Sequence, residues 1–132
     1  MRAVAYCRYS TDNQTENSIM YQISAAEDFC RRNNLELIDV YSDEAKTGTN
    51  TNRDGLQRLL ADCKTDKFGA VIIYDQSRLS RSVTDWFSLR ETLSHANIRL
   101  YSCCESLSDD VLDSSAFMSE GVHAIFNQVH VL

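Results

Sequence analysis

Short runs of consecutive apolar residues alternate along the chain with longer stretches in which apolar residues recur every three or four positions. The short runs are typical of buried strands, and the longer stretches of helices with one apolar face. The predicted strands cover residues 2–9, 35–42, 69–75 and 98–104. The predicted helices cover residues 17–33, 55–64 and 83–96. This alternation predicts an α/β domain with a parallel-rich central sheet of about four strands, flanked by helices.

A last helical pattern begins near residue 113. Its apolar positions are Met118, Val122, Ile125, Phe126, Val129 and Leu132. Periodicity alone leaves open whether this stripe packs on the chain's own sheet or forms a subunit interface. Because the pattern is still running where the sequence stops, we interpret residues 1–132 as one domain from a longer protein, with the start of a long helix at 113–132.

Composition narrows the class of protein. With 132 residues and 43% apolar content, the chain can bury the core of one domain. A net charge of −6 argues against a domain that binds nucleic acid through a broad basic surface. Any DNA affinity has to come from a local group of basic residues or from another part of the protein. No apolar run approaches the ~20 residues of a membrane span and no signal-peptide pattern opens the chain, so we expect a cytoplasmic protein without membrane contact.

Five cysteines are scattered through the apolar pattern, an odd number without the paired spacing of a zinc site. We expect all of them to be buried free thiols. They are Cys7, Cys30, Cys63, Cys103 and Cys104.

Polar residues with a common chemistry follow three of the predicted strands. Arg8 and Ser10 lie at the end of the first strand, Arg53 lies in the polar loop after the second, and Arg78 and Arg81 follow the third. Parallel strands end at one edge of a sheet, so these side chains can converge on one phosphate. Arginine stays charged and binds two oxygens at once. A serine hydroxyl surrounded by arginines favours phosphoryl transfer.

Each of these residues also has an ordinary structural interpretation. Ser10 can start a turn, Arg8 can pair with Asp43 or Glu44, and arginines near a helix start are often only solvated, with Ser80 or Ser82 as the cap. Taken singly, each residue favours the ordinary interpretation. Taken together, their placement on three loops of one edge favours a site.

Other catalytic classes fit less well. The chain has neither the G-x-S-x-G motif nor a histidine near Ser10, which disfavours a Ser-His-Asp hydrolase, and it has no P-loop. A magnesium-dependent nuclease stays open, since Asp43, Glu44 and Asp75 also lie at strand ends. That alternative gives the arginines no specific purpose.

Four short segments, in order, resemble the serine site-specific recombinases, the resolvase, invertase and large serine integrase family. Residues 5–11, Ala-Tyr-Cys-Arg-Tyr-Ser-Thr, resemble the Y-x-R-x-S motif that opens the family's catalytic domain. Residues 77–82 are similar to its D-R-L-x-R segment, and residues 18–22 to its S-x-x-x-Q. Thr47-Gly48 and residues 53–56 resemble its mobile loop and R-x-G-[LF]. Longer loops around 11–17 and 43–52 favour the large-integrase or transposon-recombinase branch.

The resemblance implies a mechanism. Ser10 would attack a DNA phosphate, form a 5′-phosphoserine link and release a 3′ hydroxyl, without metal or nucleotide cofactor. Arg53 would assist from its loop, and Gln22 would lie close to the bound phosphate. Three arginines would hold that phosphate: Arg8, Arg78 and Arg81.

The resemblance also implies an assembly. The stripe in residues 113–132 would contribute to a homodimer, and two dimers would form a synaptic tetramer whose halves rotate before the strands are rejoined. DNA would be the partner, bound chiefly by domains beyond this one. Two positions depart from the family pattern, because Ser77 and Gly69 stand where acids are expected, and Asp75 is a candidate substitute for the first. An inactive, dimerising interaction domain is therefore a further alternative.

Overall fold

A computed structural model describes residues 1–9, 18–44, 53–80 and 82–107. Within these residues the chain forms four strands and four helices. They are β1 Arg2–Tyr9, α1 Ile19–Arg32, β2 Glu36–Glu44, α2 Asp54–Asp62, β3 Ala70–Ile73, α3 Gln76–Leu79, α4 Val83–His95 and β4 Arg99–Ser102.

The four strands form one parallel sheet in the order β2-β1-β3-β4, which confirms the predicted fold class. The chain leaves β1 toward β2 at one side and returns past β1 to β3 at the other. A change of direction of this kind opens a crevice at the carboxyl ends of the two central strands. The end of β1 and the segment after β3 meet at that crevice.

Alternate residues of β1 enter two separate cores. Ala3, Ala5 and Cys7 pack on the face covered by α1, against Ala26 and Cys30. The opposite face of the sheet is covered by α2 and α4, and its core includes Val4, Tyr6, Leu56, Leu59, Trp86 and Leu93. Because β1 is covered on both faces, it carries an unbroken apolar run instead of an alternating one.

The second strand is longer than the sequence pattern predicted. It continues through Asp43 and Glu44, which pair in register with Arg8 and Tyr9 of β1. The pattern failed there because charged residues usually mark a loop, whereas pairing with a neighbouring strand is a long-range property. The extension places the Asp43 carboxyl group at the crevice edge.

The third strand is shorter than predicted and is followed by a helix that the sequence pattern missed. The strand ends at Ile73, and the single turn of α3 occupies residues 76–79. The Ser80 N–H closes this turn by donating to the Gln76 carbonyl at 3.1 Å. A turn of four residues is too short to produce a readable helical period.

Serine caps begin the two long helices on either side of the crevice. Ser18 Oγ accepts the N–H of Tyr21 at 3.2 Å, and Ser82 Oγ accepts the N–H of Asp85 at 3.4 Å. Ser82 was one of the two candidate caps named from the sequence. Their identity matters because these caps set where α1 and α4 start relative to the strand ends.

The five cysteines are free thiols, but their burial differs. Cys7, Cys30 and Cys63 are buried, Cys103 is half-buried and Cys104 is exposed. The prediction of uniform burial is therefore wrong for Cys104, and it holds only in part for Cys103. Both residues follow the end of β4, where the chain leaves the sheet.

Several predicted features lie outside the described residues. They are Ser10, Arg81, the loop at 45–52 and the helix expected at 113–132. Among the residues that are described, no helix has the length and apolar character needed to cross a membrane.

Candidate active site

Four of the six predicted site residues lie at the carboxyl edge of the sheet within the described part of the chain. Arg8 is the penultimate residue of β1, Gln22 lies near the start of α1, Arg53 is the N-cap residue of α2, and Arg78 lies in α3. Each comes from a different element, so the fold has to bring them together. The remaining two, Ser10 and Arg81, are in the undescribed segments, and their positions stay predictions.

The carbonyl oxygen of Arg8 is the meeting point of two of these residues. Gln22 Nε2 donates to it at 3.0 Å, and Arg78 Nη1 donates to it at 3.2 Å. Gln22 is almost completely buried, and its bond comes from α1 while that of Arg78 comes from α3. These two bonds fix the backbone of β1 two residues before Ser10.

Arg53 joins the group from the start of α2. Its Nη2 donates to the carbonyl oxygen of Arg78 at 2.9 Å and to the hydroxyl of Tyr6 at 3.0 Å. Its guanidinium carbon lies 5.4 Å from the centre of the Tyr6 ring. Arg53 therefore connects α2 to both β1 and α3. Its guanidinium group, which stays charged, lies where these elements meet.

Tyr6 and Asp43 hold the start of α2 in position. The Tyr6 hydroxyl donates to Asp43 Oδ2 at 2.7 Å. The same carboxylate accepts the backbone N–H groups of Gly55 at 2.8 Å and Leu56 at 3.0 Å. Asp43 thus caps α2 from a neighbouring strand, a placement that also suits the positive end of the helix dipole.

The Tyr6 side chain is a hydrogen-bond donor in this network. Burial raises the pKa of its hydroxyl well above the ordinary value of 10.0, and the hydrogen bond to Asp43 acts in the same direction, while the Arg53 charge opposes them. The proton therefore stays on the phenol oxygen throughout the neutral range. Sequence reasoning gave Tyr6 no role, although its position two residues before Arg8 was a signal that it shares a face with that arginine.

Gly55 allows α2 to begin directly against β2. A Cβ at this position would lie 2.3 Å from the carbonyl oxygen of Ser42, a distance at which the backbone would have to move. The missing side chain brings the first turn of the helix within reach of Asp43. This close approach is the reason for glycine at position 55.

The segment after β3 contains a carboxylate beside Arg78. Asp75 Oδ1 accepts the hydroxyl of Ser77 at 2.5 Å and lies 3.7 Å from Arg78 Nε. The Arg78 guanidinium also lies over the ring of Tyr74, 5.8 Å from its centre. The acid that the family pattern expects at position 77 is thus found two residues earlier, still next to the arginine.

The family model described as Resolvase, N terminal domain, matches residues 3–130. The chain belongs to the resolvase family. This resolvase domain is the catalytic domain of a site-specific recombinase, an enzyme that cleaves and rejoins DNA. Members of the family act on DNA and generally form oligomers.

Solved structures resemble the resolvase domain over nearly its whole length. The N-terminal catalytic domain of TP901-1 integrase is 26% identical, with 98% of this chain and 96% of that chain covered and a TM-score of 0.73. A resolvase family site-specific recombinase from Streptococcus pneumoniae is 22% identical, with 99% and 93% covered and a TM-score of 0.74. The C-terminal catalytic domain of ISC1926 TnpA, an IS607-like serine recombinase, is 23% identical, with 93% and 80% covered and a TM-score of 0.68. The last two show a shared fold.

Two of the three carboxylates of the nuclease alternative, Asp43 and Asp75, have other roles in the resolvase domain. Both oxygens of Asp43 are occupied by the Tyr6 hydroxyl and by backbone N–H groups of α2. Asp75 is engaged by Ser77 and Arg78. In the described ranges, no three His, Cys, Asp or Glu side chains come together as a group that could hold a metal ion.

Proposed function

We propose that Ser10 is the nucleophile of this recombinase domain and that Arg8, Arg53, Arg78 and Arg81 bind the scissile DNA phosphate. The Ser10 Oγ–phosphorus bond forms as the bond from phosphorus to the 3′ oxygen breaks, and the departing oxygen leaves as a 3′ hydroxyl. The DNA strand is then held as a 5′-phosphoserine ester. Attack by a 3′ hydroxyl on that ester reverses the step and rejoins the strands, so no nucleotide cofactor is consumed.

The double hydrogen bond to the Arg8 carbonyl carries this proposal. Gln22 and Arg78 reach that oxygen from two different helices, α1 and α3. A nucleophile has to attack in line with its leaving group, and a small displacement of the attacking atom is costly. A strand end fastened two residues before Ser10 supports a role for that hydroxyl in a demanding alignment.

Local charge explains how an acidic domain can act on an anion. The net charge of the chain is −6, yet three arginines are brought to one edge of the sheet by separate elements. Charge that develops on phosphate oxygens is stabilised best by donors already in position. The arginines thus supply the stabilisation locally, without a basic surface over the whole domain.

The domain assignment and assembly are part of the proposal. Residues 1–132 would form the catalytic domain, with residues 113–132 beginning a long dimerisation helix. The apolar stripe from Met118 to Leu132 supports this, because a sustained helical stripe needs a partner surface. Homodimers would pair into a tetramer when two DNA sites are brought together.

A covalent adduct tests the nucleophile. The natural full-length protein would be incubated with sheared genomic DNA from its source organism, denatured, and assayed for DNA that remains attached to protein. We expect an adduct at DNA 5′ ends for the unmodified protein and none for Ser10→Ala. Ser88→Ala, an exposed serine on α4, is the matched control and should retain the adduct.

The alternatives give different outcomes in the same assay. An adduct that persists in Ser10→Ala would rule out Ser10 as the nucleophile. Strand cleavage that leaves no adduct and stops in EDTA would indicate the nuclease. No cleavage by a folded, dimeric protein would indicate the inactive interaction domain.

A further inference from the structure

Asp75 precedes α3 but does not act as its cap. An aspartate in this position commonly accepts a backbone N–H from the first turn of the helix. Here the Asp75 side chain makes no such bond. Its Oδ1 faces the hydroxyl of Ser77 at 2.5 Å and the Nε of Arg78 at 3.7 Å. The carboxylate is therefore directed at other side chains, and one of them is a proposed phosphate ligand.

The Arg78 guanidinium has neighbours on three sides. The Arg8 carbonyl accepts from Nη1, the Tyr74 ring lies under its face, and the Asp75 carboxylate lies beside Nε. The side chain is only 11% exposed, so the groups packed around it restrict its orientation, and these three are among them. Of the three, Asp75 alone carries a formal charge.

We propose that Asp75 is a positioning residue that aims the Arg78 guanidinium at the scissile phosphate, with the Ser77 hydroxyl holding the carboxylate in place. This inference rests on the proposed function of Arg78. The 3.7 Å separation is longer than a hydrogen bond, so the carboxylate orients the guanidinium without occupying it as a close pair would.

Ser77 and Asp75 together explain a departure in the sequence. The family pattern expects an acid at position 77, and the chain has serine there. The nearby carboxylate belongs to Asp75 instead, and the Ser77 hydroxyl donates a hydrogen bond to it. The negative charge beside the arginine is therefore retained, although its place in the chain has changed.

The test combines loss, transfer and control variants of the full-length protein. Asp75→Asn removes the charge while keeping the shape, and the double variant Asp75→Ser, Ser77→Asp moves the carboxylate to position 77. Asp28→Asn is the matched control, because Asp28 and Arg31 form another i,i+3 pair, on the exposed surface of α1. The first readout is the rate of adduct formation, with DNA binding measured separately.

We expect Asp75→Asn to slow adduct formation by about 10²-fold, since a misplaced catalytic group commonly costs that much, with DNA binding unchanged. The double variant should recover at least about tenfold of that loss, and Asp28→Asn should match the unmodified protein. Recovery by transfer of the charge would not occur if Asp75 served only the fold.

A second readout does not depend on the reaction. The Nε–H of Arg78, assigned by its disappearance in Arg78→Lys, should give an NMR signal whose chemical shift changes in Asp75→Asn, because a charge 3.7 Å away is removed, and returns toward its original value in the double variant. An adduct rate or an Nε–H chemical shift in Asp75→Asn equal to that of the unmodified protein would overturn the inference. Absence of an adduct in the unmodified protein would instead count against the proposed function, and the NMR signal would still decide how Arg78 is held.

Discussion

Tyr6 and Asp43 are joined by a buried hydrogen bond of 2.7 Å between the phenol hydroxyl and Oδ2. The bond links the central strand to the residue that caps α2, and Arg53 donates to the same hydroxyl. One oxygen atom therefore serves the fold and the candidate site together.

Tyr6→Phe removes this oxygen and keeps the ring. We expect the free energy of unfolding to fall by about 1–3 kcal/mol, because buried partners lose a hydrogen bond. Urea denaturation measures this change. Tyr101→Phe is the control, since the Tyr101 hydroxyl bonds an exposed Arg99 and its loss should cost less. Equal effects of the two changes would contradict a special role for Tyr6.

Gly55→Ala tests the close approach of α2 to β2. The new Cβ would lie 2.3 Å from the Ser42 carbonyl oxygen, so the helix start has to shift. We expect a loss of about 1–3 kcal/mol in the free energy of unfolding, typical of overpacking. Gly69→Ala is the matched control, because its Cβ would meet only the flexible Met1 side chain at 3.2 Å. A loss at position 55 no greater than that at position 69 would contradict the importance of the close contact with Ser42.

Gln76 is a buried amide whose polar atoms have no hydrogen-bond partner in the described part of the chain. Burying such a group costs free energy, so Gln76→Leu should raise the free energy of unfolding by about 1–3 kcal/mol. Gln22→Leu should do the opposite, because Gln22 donates to the Arg8 carbonyl. Thermal and urea denaturation of both variants decide the matter, and a stabilising Gln22→Leu would contradict the assigned bond.

Alkaline pH should destabilise the domain through its buried thiols. Burial raises the pKa of Cys7 from 9.0 to about 12, with the neighbouring Cys103 acting in the same direction. Burial likewise raises the pKa of Cys63 and of Cys103 to about 11. A thiol whose pKa is higher in the folded state contributes stability that is fully present below pH 9 and is lost as the pH rises toward the folded value.

The Cys7→Ala variant isolates one of these contributions. Above pH 9 each such thiol removes about 1.4 kcal/mol of stability per pH unit, so Cys7→Ala should show a shallower decline than the unmodified protein. Unfolding curves between pH 8 and 11 measure the slope. Cys104→Ala, which changes an exposed thiol, should keep the steep decline. Identical slopes for the unmodified protein and Cys7→Ala would show that Cys7 is not the source.

Arg81→Ala tests the phosphate ligand that lies outside the described residues. Removing one donor that stabilises transition-state charge typically lowers a rate by ~10²–10³. We expect that loss in adduct formation, with unfolding curves unchanged. Arg58→Ala is the control. Arg58 belongs to α2, lies over the ring of Tyr41 and has no proposed contact with DNA. Normal adduct formation by Arg81→Ala would remove that residue from the site.

The sequence predicted those parts of the fold that depend on local patterns. The limits of β1 and the caps Ser18 and Ser82 follow from an apolar run and from side chains that bond their own helix. The extension of β2 depends on pairing with β1, and α3 is a single turn. Such features rely on neighbours distant in the chain or too few residues to show a period.

The candidate site was likewise predicted from the sequence only in part. Arg8, Arg53 and Arg78 could be named because strand ends share an edge in a parallel sheet. The capping role of Asp43 could not, because it requires the helix that starts at Gly55 to lie against β2. Asp75 was considered as a substitute acid and as a magnesium ligand, and its bond to Ser77 became visible through the geometry of α3.

The bonds that gather the arginines span long distances along the chain, with Arg78 reaching back 70 residues to Arg8 and Arg53 reaching 47 residues to Tyr6. A newly synthesised or partly unfolded polypeptide cannot hold these groups together. The arrangement that the proposed attack by Ser10 requires therefore exists only in the folded domain. If the proposal holds, DNA cleavage would depend on completed tertiary structure.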